Sequence, residues 1–254
     1  MIAYAAALLV AAALSAAGIA GARRNRRLRP FLAATLAGAI AADAASFVIA
    51  KVVAGHFVAA TDLPLSLCDA AALVAAWAVL SPSPWRVEVT YFWGLAGTLQ
   101  ALLTPDLASP FPSLVFFQYI VGHVAVVAAA LYLTVSLGLR PRKGAPYRVL
   151  AISAAYSLLV GIADWTTGAD YMFLRRPPGN PTLLDLLGPW PVYIFVAVPV
   201  ALALFSLLDL PFDRRPLALR PRREDGARAT GEPARSTPGR RTRTMPPAGP
   251  PPAG

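Results

Sequence analysis

Cys68, in the run LPLSLCDAAAL, and His123, in the run FFQYIVGH, are the residues whose types could carry covalent chemistry. A thiol becomes a working nucleophile when a base takes its proton, and an imidazole is a common base. Together they could accept an acyl group from a lipid ester. A lone buried cysteine is more often just a small hydrophobe, so a base within reach decides its role. Asp69 lies about 100° round a helix from Cys68. It could orient the imidazole, or pair with Arg175 or with a neighbouring helix. The single cysteine excludes an intramolecular disulfide and a thiolate metal cluster. Two histidines, His56 and His123, are poor material for a metal site, so neither metal nor cofactor is expected.

Other polar residues interrupt apolar segments: Asp43, Asp69, Gln100 and Asp164. Such groups are costly in lipid and usually paired or functional. At helical spacing Thr35, Ala39, Asp43 and Ser46 share a face, as do Trp93, Gly97, Gln100 and Thr104, and Ser153, Ser157, Gly161 and Asp164. Tyr119 and His123 are neighbours at i, i+4. Small residues beside polar ones mark helix contacts, and packing seams alone would explain these stripes. As substrate-binding candidates beside the catalytic pair we take Asp69, Trp93, Gln100, Asp164, Tyr171, Arg175 and Trp190. Arg175 and Arg176 could meet a lipid phosphate, or pair with Asp170 and Asp185.

The elements that must position these residues are membrane helices. Apolar residues make up 57% of the chain and charged ones 14%, against about 25% charged in a soluble domain. Seven segments are apolar enough to be read as spans of roughly 20 residues: near 2–21, 31–53, 63–80, 87–103, 114–137, 149–167 and 187–210. The third and fourth are the shortest. The expected fold is an all-α polytopic bundle over residues 1–212. The first segment ends before five arginines, Arg23 to Arg29, and has no Lys or Arg ahead of it, which fits a retained helix better than a signal peptide.

The net charge of +10 points to topology rather than to nucleic acid. With the N-terminus outside, alternate loops carry five arginines, then Arg86, then four Lys or Arg from Arg140 to Arg148, then ten arginines after Pro211. The opposite side has Lys51, Arg175 and Arg176. The C-terminus is therefore expected inside, in the cell membrane's cytoplasmic direction. Residues 213–254, rich in Pro and Arg, read as a disordered basic tail.

The runs LPLSLCDAAAL (Leu63–Leu73), YFWGLAGTLQALLTPDL (Tyr91–Leu107), FFQYIVGH (Phe116–His123), DYMFLRRPP (Asp170–Pro178) and LLDLLGPWPVY (Leu183–Tyr193) resemble the YwaF-like integral membrane family. Its bacterial members are relatives of the animal transmembrane protein 164, an acyltransferase that moves polyunsaturated acyl chains from phospholipid to lyso-ether lipid. The resemblance implies a Cys/His mechanism, with Cys68 and His123 at the matching positions. It also implies membrane lipids, phospholipid or lysolipid, as partners. The family often has a histidine two places before the cysteine, where this chain has Ser66. Acyl transfer or lipid hydrolysis at the outer leaflet is the first expectation. A non-catalytic lipid-binding or scaffold protein, and a proton or small-solute transporter using Asp43, Asp69, Asp164 and His123, are the alternatives.

Overall fold

The computed structural model describes residues 2–105, 111–177 and 183–213, and all regular structure among them is helical. The helices are α1 (Ile2–Arg24), α2 (Arg29–Val53), α3 (Leu67–Leu80), α4 (Pro84–Phe92), α5 (Leu99–Leu103), α6 (Leu114–Leu131), α7 (Ala145–Thr167) and α8 (Val192–Asp213). A π-helical turn, Trp93–Thr98, joins α4 to α5, and a second, Tyr132–Ser136, extends α6. The tail expected to be disordered lies, beyond Asp213, outside the described residues.

Among the described residues five helices are long and apolar enough to cross a membrane: Ile2–Arg24, Arg26–Val53, Leu114–Ser136, Ala145–Thr167 and Val192–Phe212. The third and fourth expected spans take a different form. Helix α3 has 14 residues, a rise of about 21 Å against a hydrocarbon core of about 30 Å. It starts four residues later than expected because Pro64 disfavours helix at Leu63. Ser66 and Asp69 then form a reciprocal capping box that opens the helix. The fourth segment is broken by the Trp93–Thr98 turn. The last expected span is cut at Gly188, whose φ of +107° and flanking prolines separate a 3-10 turn, Leu183–Leu187, from α8.

The π turn also corrects a face. An extra residue in the turn rotates everything after it, so the stripe through Trp93, Gly97, Gln100 and Thr104 does not persist. Trp93 is buried, while Gln100 and Thr104 are exposed. Thr98 takes the inward place instead, at 1% exposure. The turn can press on α6 because Gly94 has no side chain: a Cβ there would stand 3.3 Å from the Ala130 Cβ.

Helix α3 packs against α2, α4 and α6 at the centre of the bundle. It contributes Ala70, Ala71, Ala75 and Ala78 to the main core, and α6 contributes Ala125, Ala128 and Ala129. Small side chains let helix backbones approach where no hydrophobic force favours one helix over lipid. The outside is apolar: Leu9, Leu14, Phe31, Leu158, Trp165 and Phe195 are all exposed, as a surface solvated by lipid tails should be.

One end of the bundle is locked by charge. Glu88, 1% exposed, accepts from Arg142 Nε at 2.8 Å and Nη2 at 3.1 Å, and from Arg148 Nη2 at 2.7 Å and Nε at 3.1 Å. The Arg142 backbone N–H adds a fifth bond at 3.1 Å. Nearby helix ends are pinned through carbonyls: Ser136 Oγ donates to Ile19 O at 2.8 Å, and Tyr132 OH to Arg29 O at 3.1 Å.

Candidate functional site

The capping box fixes where the thiol sits. With Ser66 as N-cap, Leu67 and Cys68 are the first two residues of α3. The Ser66 N–H and Oγ donate to Asp69 Oδ2 at 3.2 and 2.7 Å, and the Asp69 N–H donates to Ser66 Oγ at 3.2 Å. Neither the Leu67 nor the Cys68 N–H is taken by this box, and the first turn of a helix has no internal acceptor for them. Cys68 is half-buried. Its thiol faces the Thr98 hydroxyl, whose buried oxygen has no full hydrogen bond of its own.

His123 is held from α6 itself. Its Nδ1 lies 2.7 Å from the Tyr119 carbonyl, which can only accept, so Nδ1 carries the hydrogen. In the neutral ring Nε2 then holds the lone pair. Nε2 has no hydrogen-bond partner among the described residues. The Tyr119 ring stacks on the imidazole at 4.3 Å between centroids, and its hydroxyl donates to Ala101 O at 2.5 Å. No hydrogen bond joins Cys68 to His123 among the described residues.

Asp69 is the electrostatic hub. Its charge is felt at Asp43 on α2, Cys68 on α3, His123 on α6, Tyr156 on α7 and Tyr171 beyond α7. Its role is first structural, since one carboxylate oxygen closes the capping box with Ser66. It makes no ion pair with Arg175. Asp43 reaches the cluster across a gap left by Gly122: a Cβ on that glycine would stand 2.3 Å from Asp43 Oδ2. Ser46, one turn from Asp43, is tied to α6 by Gln118 Nε2 at 2.5 Å.

The remaining candidates divide between wall and brace. Trp93 Nε1 donates to Ser153 Oγ at 2.8 Å and its ring tilts against Tyr156, closing the side toward α7. Gln100 faces outward. Asp164, fully buried, accepts from the Tyr171 N–H at 2.9 Å. Tyr171 OH donates to Ala59 O at 2.9 Å and accepts from the Leu63 N–H at 2.7 Å. Tyr156 OH donates to Leu65 O at 3.1 Å. Arg175 donates to the carbonyls of Asp164 and Ala169 at 3.1 and 2.9 Å, and Trp190 Nε1 to Leu174 O at 3.1 Å. Asp164, Tyr171 and Arg175 therefore brace the loop that delivers Cys68. On the same loop, Asp62 accepts from the Val58 N–H at 2.9 Å and pairs with Lys51 at 3.1 Å. That backbone bond, then Lys51, hold its carboxyl below the ordinary carboxylate range.

Some of this was open to sequence reading. Ser66-x-x-Asp69 is a capping signature, and Gly122 adjoins the histidine. Thr98 was hidden by the π turn. Among the described residues, no group of three or more His, Cys, Asp or Glu is placed to hold a metal. Cys68 lines neither the open groove of about 620 Å³ between α1 and the end of α6 nor the one of about 310 Å³ near Trp190.

No curated protein and no solved structure matches this chain. A family model does, over residues 1–209, which takes in α1 and α2 as well as the segments that carry the quoted motifs. This all-helical membrane protein belongs to the TMEM164 family.

Proposed function

We propose that the chain is a multi-pass protein of the cell membrane that transfers an acyl chain between lipids through a thioester on Cys68, at the outer leaflet. Seven spans, with α3 and the α4–α5 unit as the short pair, put the N-terminus outside and the C-terminus inside. Supporting this, Tyr132 links the end of α6 to Arg29, and Arg142 and Arg148 converge on Glu88. The basic loops thus meet at one end, as the positive-inside rule asks.

His123 Nε2 takes the Cys68 proton, and the sulfur attacks the ester carbonyl carbon of a phospholipid. The oxyanion sits against the unused N–H groups of Leu67 and Cys68, at the positive end of α3. The ester C–O bond breaks, and the imidazolium returns its proton to the departing lysolipid. A second lysolipid hydroxyl then attacks the thioester, giving its proton to His123 and releasing the thiol. The observation that carries this reading is the combination at one place of a thiol, two unused backbone donors and an unpartnered threonine hydroxyl. His123, whose Nε2 has no partner among the described residues, feels the charge of Asp69, the residue after the thiol.

The Cys68–His123 gap favours a second reading, a lipid-binding protein without turnover. Substrate entry would have to close the gap, as catalytic hydrogen bonds often tighten only in the complex. Purified protein with acyl-labelled phospholipid and unlabelled lysolipid separates the two. The enzyme gives labelled product and a hydroxylamine-sensitive label on the wild type, both absent in Cys68→Ala and His123→Ala. Unchanged transfer in both variants would overturn the thioester mechanism, and lipid capture without transfer would favour the second reading.

A further inference from the structure

Far from Cys68, the groove between α1 and the end of α6 combines an apolar trough with two unneutralised guanidiniums. Ala16 and Ala20, one turn apart on α1, form its floor with Ile19, and Leu131 and Val135, one turn apart, form the facing wall. Arg23 and Arg24 close its end. The trough is fixed rather than incidental, because Ser136 beside the wall donates to Ile19 O in the floor. From Ala16 to Arg23 it runs about 10 Å, most of the way through one leaflet of a core about 30 Å thick.

Among the described residues the charge at its end has no counterpart. Three other arginines of this bundle are used: Arg29 donates to Ala22 O, and Arg142 and Arg148 to Glu88. Arg23 and Arg24 are exposed and hold no partner among the described residues. No acidic residue precedes Asp43 in the sequence, while five arginines lie between 23 and 29. A planar guanidinium fork matches a phosphate.

We propose that this groove is a binding site for one anionic phospholipid, its phosphate on Arg23 and Arg24 and the upper part of one acyl chain along Ala16, Ala20, Leu131 and Val135. A zwitterionic lipid brings its own cation to the phosphate and leaves the excess arginine charge unmet. An anionic headgroup meets it. The site is independent of the acyl-transfer reading, since no residue is shared.

The test uses the full-length chain in detergent, titrated with phosphatidylglycerol or phosphatidylcholine and read by native mass spectrometry. Wild-type protein should retain one phosphatidylglycerol in preference to phosphatidylcholine. Loss of two interfacial arginines in R23A/R24A should weaken that retention about 25-fold. R26A/R27A removes the same charge outside the groove and should change it less than about threefold. A16L/A20L fills the trough, keeps every arginine and should abolish retention. Equal retention of both lipids, an equal loss in R26A/R27A, or undiminished binding in A16L/A20L would each overturn the proposal. So would a dimer that A16L/A20L dissociates, which would give the groove to a second copy of the chain. A normal elution volume and melting midpoint for each variant show that the losses are not unfolding.

Discussion

Two of the polar clusters inside this bundle are finished to different degrees. At Glu88 five donor contacts from Arg142 and Arg148 saturate both carboxylate oxygens. At Cys68 the first two N–H groups of α3, the Thr98 hydroxyl and His123 Nε2 are left without full partners. Buried polar groups are normally satisfied, and a saturated cluster has nothing left to offer a ligand. The difference separates a lock from a candidate site. Glu88 closes a loop onto α4, whereas the Cys68 cluster keeps capacity that only another molecule can use.

The largest effect is expected at the thiol. Cys68→Ala should lower acyl transfer at least about a thousandfold and leave the melting midpoint near wild type. A parallel loss of activity and stability would make Cys68 a packing residue. Next is the backbone donor. Proline is tolerated at the first position of a helix, and Ser66, at φ −66° and ψ 157°, already has the backbone that precedes proline. Leu67→Pro should therefore keep α3 while removing an N–H, and Leu67→Ala is its control for lost packing. A kcat about a hundredfold lower in the proline variant than in the alanine variant is expected. Equal rates would remove Leu67 as a donor.

Glu88→Ala should do the reverse of the thiol change. It should cost about 2 kcal/mol in a denaturant or thermal unfolding measurement and leave turnover per folded molecule unchanged. The figure is below that of a fully buried pair because Arg142 and Arg148, 52% and 40% exposed, regain water. Gly122→Ala drives a methyl into the Asp43 carboxylate and should destabilise by about 1–2 kcal/mol. Adding Asp43→Ala should restore most of that loss, and failure to do so would place the clash elsewhere. The smallest effect concerns Asp62. Its folded carboxyl is held low, so its contribution is complete above the ordinary carboxylate value of about 4 and is lost as pH falls through the lowered folded value. Asp62→Asn should flatten the acid limb of a stability–pH curve and, between pH 6 and 8, lower the curve by a constant amount without changing its slope.

Legibility followed the range of the interactions. Helices α1, α2, α6 and α7 were readable because continuous apolar runs leave a membrane chain few other ways to satisfy its backbone. Cys68 stood out as the single cysteine, and His123 as the histidine set inside an apolar run. The start of α3 was missed by four residues, although Pro64 and the Ser66–Asp69 pair mark it locally. The stripe through Gln100 failed because a 3.6-residue period was carried across a π turn, and the close approach of Gly94 to α6 that accompanies that turn involves residues more than thirty positions apart.

By itself the sequence determined the solvent of this protein and its helical class, and it offered Cys68 and His123 as side chains of nucleophile and base type, since hydropathy and side-chain type are properties of single residues and short windows. Tertiary structure alone decided that Thr98 rather than Gln100 turns inward and that Asp43 on α2 meets the gap left by Gly122 on α6. It also left Arg23 and Arg24 facing a groove with no acid beside them among the described residues. Each of these depends on which helices pack together and at what register, and packing energy is summed over contacts that no local window contains.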